Sequence, residues 1–376
     1  MKYSRHAIAC ALAVASALAL AACGSGSSNG GDSVNVGISD AGCSPTVLKL
    51  TAGPKNFVVS ASGSGKVTEY EILDGTRIIG ERENITPGVT SKFSLRLNPG
   101  EYVSYCPHGK SVEYGKVIVT GGATGATSAG SKQLSEATSG YQQYVVAQSD
   151  LLVKRTAAFT AAVKAGDTAK AKSLYAGARE PFETIEPVAE SFGKLDPKID
   201  ARENDVAKGE KWTGFHRIEK TLWQDNTTAG LASFADQLNT DVRELQAKAK
   251  RLTYQPAELA NGATGLLDEV SKSKITGEED RYSHTDLWDF AANVDGAHEA
   301  FKLLRPAVEA KNAALAKQID ARFNDVGSSL AAYRKGSGFV LYSALTPADT
   351  KKLSRSIDAL GEPLSHVASI VVENKQ

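Results

Sequence analysis

The chain has 376 residues, 43 of them basic and 43 acidic, and 41% of its side chains are hydrophobic. So even a balance of charge excludes a nucleic-acid binder, which needs a basic face. The hydrophobic share is enough to bury cores, and the length suits two or three domains.

The N-terminus reads as a targeting segment. Lys2 and Arg5 precede a short apolar run from Ala7 to Leu20, and Leu20-Ala21-Ala22-Cys23 follows with the pattern of a bacterial lipoprotein cleavage box. The apolar run is shorter than the about 20 residues that a membrane-spanning helix needs. The expectation is that residues 1–22 are removed and that Cys23 carries a lipid. The protein would then be extracytoplasmic and anchored to the cell membrane without crossing it. Residues 23–32, rich in Gly and Ser, read as a flexible tether. In that oxidising compartment the two remaining cysteines, Cys43 and Cys106, are free to form a disulfide.

Residues 33–120 carry short alternating runs punctuated by Gly, Pro and Asn. Strands are expected at 34–38, 47–50, 56–60, 69–73, 92–97, 102–106 and 116–119, a small antiparallel β-sandwich. Its possible chemistry lies in Cys43, Glu69, Glu71, Cys106 and His108. Cys106-Pro107-His108 at a strand end is similar to the Cys and His loop of a cupredoxin. A blue-copper centre wants two histidines and one cysteine, and His108 is the one histidine in this stretch. Two readings stay open: a Cys43–Cys106 disulfide, or a modified site for copper or a second iron using Cys43, Cys106, Glu69 and His108.

Residues 121–139 begin as a Gly/Ala/Ser/Thr linker. From 140 to 376 the chain reads as all helix, with candidates at 141–165, 168–192, 211–224, 227–251, 256–274, 281–311, 313–335 and 347–373. Pro181 and Pro187 should bend the second of these. Within 211–224, Trp212, Phe215, Glu219 and Leu222 share one stripe, so Glu219 stands where a core leucine is expected. His216 lies three residues earlier on the same face. A carboxylate on a buried stripe is costly unless paired or metal-bound. His and Glu at this spacing are what a helical-bundle metal site uses; a structural His–Glu hydrogen bond is the alternative.

An internal repeat tips the balance toward metal. Ile199-Asp200-Ala201-Arg202-Glu203-Asn204-Asp205-Val206 returns as Ile319-Asp320-Ala321-Arg322-Phe323-Asn324-Asp325-Val326, with seven of eight positions identical. Arg179 before Pro181 is echoed by Arg305-Pro306, and Gly214-Phe215 by Gly338-Phe339. In the second copy His216 becomes Val340 and Glu219 becomes Ser343. This duplication suggests two pseudo-symmetric helical bundles, at about 140–255 and 256–376, with the polar pair added to one of them. Other carboxylates are less decided by pattern. Glu183 and Glu186 share a face between two prolines, Asp200 suits a helix cap, and Glu278 or Glu279 suits a helix start.

Gly214-x-His216-x-x-Glu219 matches the GxHxxE motif of the imelysin-like family, which is also filed among peptidases. The strings Gly214 to Leu222, Asp225-Asn226-Thr227-Thr228 and Gly277 to Phe290 resemble the branch of that family serving ferrous-iron uptake. Glu69-Tyr70-Glu71-Ile72-Leu73 and Glu81-Arg82-Glu83-Asn84-Ile85 are similar to that branch's cupredoxin-like N-terminal domain. The resemblance implies a cupredoxin-like β-sandwich followed by an imelysin-like helical domain. It implies iron, ferrous or ferric, at His216, Glu219, Glu183, Glu186, Asp200 and Glu279. It also implies a membrane iron permease and a haem peroxidase as partners. The alternative is a metallopeptidase. Zinc peptidases commonly carry H-E-x-x-H, but position 220 is Lys220 and no second histidine lies one turn away.

Overall fold

A computed structural model describes residues 32–121, 129–206 and 208–372. The expected cleavage box, Cys23 and the tether before Asp32 lie outside the described residues. No helix among the described residues is long and apolar enough to cross a membrane.

Nine strands come first: β1 Asp32–Ser39, β2 Gly42–Ser44, β3 Val47–Thr51, β4 Gly53–Ala61, β5 Tyr70–Asp74, β6 Arg77–Arg82, β7 Thr90–Leu97, β8 Gly100–Tyr105 and β9 Tyr114–Thr120. One sheet runs β2-β1-β4-β7 and the other β3-β9-β8-β5-β6. The β1–β4 and β3–β9 pairs are parallel, so the sandwich is mixed and not purely antiparallel as expected. The sequence pattern passed over β6 because Arg77, Glu81 and Arg82 surround its one core isoleucine, Ile79. Strand alternation turns Phe57, Tyr70, Ile72, Phe93 and Val117 inward. Phe57 and Phe93 stack at its centre, with ring centroids 4.9 Å apart.

Among the described residues ten α-helices follow: α1 Ala129–Lys164, α2 Thr168–Ile185, α3 Leu195–Asp200, α4 Gly214–Gln224, α5 Ala232–Ala249, α6 Pro256–Lys272, α7 Asp286–Lys311, α8 Ala313–Ala331, α9 Pro347–Leu364 and α10 Val367–Val372. Their apolar faces share one core, from Tyr141 and Phe159 through Phe215 and Phe290 to Leu360. A 3-10 segment, Glu186–Phe192, follows α2 directly. Pro181 lies inside α2 and Pro187 opens the 3-10 segment that follows it, and both leave a trace. A proline lacks the N–H that would bond the carbonyl four residues back. Pro181 thereby frees the Gly177 carbonyl, which Arg155 takes at 2.9 Å. Pro187 removes the α-helical donor to the Glu183 carbonyl, which accepts from Asn293 Nδ2 at 3.0 Å.

The β-sandwich docks on the helices through named polar contacts. Arg77 pairs with Glu258. Asn261 Nδ2 donates to the Ser94 carbonyl at 2.8 Å, and Arg96 to the Val372 carbonyl at 3.0 Å. Close backbone approach seals the seam between α6 and the 3-10 segment: a Cβ on Gly262 would sit 1.7 Å from the Pro187 carbonyl oxygen.

Cys43 and Cys106 are joined in a disulfide, with Cα atoms 5.7 Å apart. It ties β2 of one sheet to the end of β8 in the other. Closing a long loop restricts the unfolded chain, an effect of about 2–4 kcal/mol. The Cys43→Ser/Cys106→Ser protein is expected to lose about that much stability, read as a lower urea midpoint. Reductant should lower the parent midpoint equally and leave the variant unmoved.

Candidate metal centre

Gly214 opens α4 with φ +87°, and a Cβ there would lie 2.2 Å from the Ile199 carbonyl oxygen. The glycine of the motif is thus what lets α4 press against the end of α3. That contact brings Asp200, the last residue of α3, opposite His216. Phe215, Ile218 and Leu222 bury the same helix face, and Glu219 is fully buried among them.

The expected helix over 281–311 begins only at Asp286. Residues 277–285 form an irregular loop instead, with left-handed backbone at Gly277 and His284. The reason is the carboxylate of Glu219: its Oε1 accepts from the backbone N–H groups of Tyr282 at 3.0 Å and Ser283 at 2.7 Å. Its Oε2 meets His216 Nδ1 at 3.1 Å. Glu219 is therefore engaged at both oxygens and orients the imidazole. The other ring nitrogen, Nε2, is buried with no hydrogen-bond partner. It faces Glu279 Oε1 at 3.6 Å and Asp200 Oδ1 at 3.7 Å. One donor atom from each of Asp200, His216 and Glu279 falls within a 4.8 Å cluster.

Arg179 of α2 lies at the middle of this region, wholly buried. It pairs with Glu183 and Asp200, reaches Glu279 at 3.3 Å, and holds Asp280 and Asp289 at 3.5 and 3.6 Å. Lys274, just after α6, bonds Glu186 at 2.5 Å and Glu183 at 3.4 Å. Asn293 of α7 donates to Glu186 at 2.6 Å and Glu183 at 3.0 Å. Burial alone would raise Glu183 and Glu279, but Lys274 beside both holds them below the usual carboxylate range, aided by Arg179 at Glu183 and His216 at Glu279. Burial and the neighbouring Glu183 push Glu186 up. Asp200 rises to about 6 through burial, against the pull of Arg179. Burial and Arg179 both favour neutral His216, yet Glu219, Glu279 and Asp200 outweigh them and raise it to about 10.

All six residues read from the sequence for this centre converge here, in two groups. His216, Asp200 and Glu279 face one another, with Glu219 behind the ring. Glu183 and Glu186 sit beyond, on Arg179, Lys274 and Asn293. Glu278, the other candidate of its pair, is exposed and bonds Arg281 at 3.2 Å. Arg179, Lys274, Asp280, Asp289 and Asn293 went unassigned. Asp280 and Asp289 lie inside the string from Gly277 to Phe290 that carried the resemblance, which was the signal for them. Arg179 had its signal in the repeat, where Arg305 pairs with Asp320 at 2.9 Å as Arg179 pairs with Asp200. Lys274 carried no signal.

The reading that used Cys43, Cys106, Glu69 and His108 as metal ligands is overturned. The two sulfurs are bonded to each other and offer no thiolate, and His108 is exposed on a left-handed loop residue.

The imelysin model matches residues 137–367, and the cupredoxin-like domain model matches residues 10–119. The chain is 46% identical over 343 residues to the iron uptake system component EfeO of Escherichia coli O6:H1, covering 90% of this chain and 91% of that one. The chain belongs to the EfeO branch of the imelysin family. The EfeO of Shigella flexneri is equally similar, at 46% identity over the same 343 residues. A solved protein of Parabacteroides distasonis shares the helical fold, with a TM-score of 0.53 and 16% identity over 66% of this chain and 97% of its own. The order of a cupredoxin-like β-sandwich and then an imelysin helical domain is thus the one expected for an EfeO-family chain.

Removing one partner from a buried ionic network costs about 3–5 kcal/mol, because the others stay buried and uncompensated. Arg179→Met is expected to lower unfolding stability by about that much in urea melts of the metal-free protein. Arg305→Met removes the solvent-screened counterpart and should leave the urea midpoint nearly unmoved.

Proposed function

We propose that this chain is the extracytoplasmic iron-binding component of an iron uptake system, capturing the ion at His216, Asp200 and Glu279 and delivering it to a membrane permease. The observation that carries the proposal is the unpartnered Nε2 of His216, buried and facing two carboxylates. Iron is the cargo. Carboxylate oxygens with one imidazole and no thiolate suit it. Glu183 and Glu186, held in reserve by Lys274, complete the oxygen-rich wall. Glu219 acts as the outer partner that fixes ring orientation, as carboxylates behind ligating histidines do. The cleft lined by Arg202, Glu203, His216, Glu278, Glu279, Arg281 and Tyr282 supplies the route in. The naming of the EfeO relatives supports iron as the ion, and it supports partners in the same system. A permease and a haem peroxidase are the partners we propose. A lipid on Cys23 would keep the carrier beside the permease.

Peptidase chemistry is the second reading, favoured by the family's filing. It is the weaker one: helix α4 offers one histidine, and Lys220 occupies the position after Glu219. The carboxylate a general base would need is already bound at both oxygens.

His216→Ala and Glu279→Gln are each expected to abolish tight iron binding in anaerobic calorimetric titration while the helical circular dichroism persists. Glu219→Gln, losing orientation alone, should weaken binding by about 10–100-fold. Equal losses in all three would instead make Glu219 a ligand. A peptide-cleavage assay with added zinc is expected to show no turnover. Cys23→Ala is expected to move the protein from the membrane pellet to the soluble fraction.

A further inference from the structure

The octapeptide from Ile199 to Val206 differs from its second copy at one position: Glu203 stands where the other has Phe323. A change of structure goes with that one letter. Phe323 is buried in α8, stacked on His298 with ring centroids 4.4 Å apart, and its copy stays helical throughout. A glutamate in that place would be costly to bury. In the first copy the helix stops at Asp200. Residues 201–206 leave it as a strap along the His216 cleft, which Arg202 and Glu203 line opposite Glu278, Glu279, Arg281 and Tyr282.

The strap is fastened at both lips of that cleft. Glu203 pairs with Lys220 of α4 and accepts from the Tyr282 hydroxyl at 2.6 Å. Asn204 Oδ1 accepts from Arg281 at 2.9 Å. Arg202, braced by Asp205 at 2.7 Å, donates to Glu279 Oε2 at 3.2 Å, while Oε1 of the same carboxylate faces His216 Nε2. The Trp212 indole N–H holds the Ala201 carbonyl at 2.7 Å. With these contacts made, His216 and Glu279 are 2% and 3% exposed, and the cleft leading to them has a volume of about 10 Å³. That is about the space of a single water, so an ion with its water shell has no passage. The fastenings are weak ones: Glu203 and Asn204 are exposed, and ion pairs in water hold loosely.

We propose that residues 201–206 form a lid over the His216 centre, latched by Glu203 to Lys220 and Tyr282 and by Arg202 to Glu279, and that undoing this latch sets the rates at which iron enters and leaves. The proposal rests on the reading of that centre as the iron site. A closed lid keeps the ion from water between capture and delivery, and lid opening then limits exchange. Arg202 and an incoming cation compete for one carboxylate, whereas Glu203 touches none of the proposed ligands. Glu203 is therefore the fastening that isolates the lid from the site.

The test uses Fe(II) under anaerobic conditions and the full chain without its leader. Entry is timed by tryptophan fluorescence in a stopped-flow mixer, and exit by transfer to excess ferrozine. Glu203→Ala is expected to raise both rates at least about threefold, and Glu203→Ala/Asn204→Ala at least about tenfold. A change that only weakened the site would speed exit alone. In the metal-free protein, amide exchange over residues 201–206 should quicken in the same variants while α4 keeps its protection. Tyr282→Phe, which takes one hydroxyl from the latch, is used if either variant does not fold. Rates equal to the parent's, a rise in exit alone, or unchanged exchange over 201–206 overturns the lid. His216→Ala tells the two readings apart. Iron binding that survives it overturns the centre and the lid's role with it; binding lost there, with rates unmoved in Glu203→Ala, overturns the lid alone.

Discussion

A single guanidinium sets the terms for the helical domain. Arg179 is buried without solvent contact, and the carboxylates of Glu183, Asp200, Glu279, Asp280 and Asp289 surround it. Those acids come from α2, α3, the 277–285 loop and α7, so one side chain ties four segments together. Buried charges survive only where they are paired and hydrogen-bonded. The loop held on Glu219 carries Glu279 and Asp280 to the guanidinium, and Asn293 holds the Glu183 carboxylate that pairs with it. Arg179 and Lys274 together keep an acid-rich cavity folded before any cargo arrives.

The resident cations also set what the cavity can accept. An ion at the proposed site would meet carboxylates already partly neutralised and an imidazole nitrogen, His216 Nε2, without a hydrogen-bond partner. The acids nearest Lys274 diverge: Glu183 and Glu279 are held ionised while Glu186 is driven toward its neutral form. At the proposed site an added positive charge would meet carboxylates that are already in contact with one another.

Much of this was legible in the chain. The stripe bearing Glu219 on a core face located the centre, because a carboxylate there has few physical excuses. Helix starts at Asp167 and Thr346 follow from capping residues, but Asn226, read the same way, starts none: α5 begins at Ala232. What escaped was non-local. Residues 281–285 look helical by pattern, and the hold of Glu219 on the backbone N–H groups of Tyr282 and Ser283 keeps them out of the helix. Strand β6 hid behind its charges. Arg179 and Lys274 matter through partners distant in sequence, which periodicity does not encode. Gly338-Phe339, aligned with Gly214-Phe215, opens no helix but a two-residue strand against Trp288.

The repeated octapeptide shows what environment does to identical residues. In the second copy, Ile319 to Val326 run unbroken inside α8. In the first, the helix stops at Asp200 and Arg202 swings to Glu279. The Arg–Asp pair recurs in both, but one is sealed in a low dielectric and the other is open to water. A bridge in water contributes about 0–1 kcal/mol, while breaking one in the interior costs several times that. The same letters thus carry two different weights: losing Arg305 or Asp320 costs little, while losing Arg179 or Asp200 leaves buried charge uncompensated.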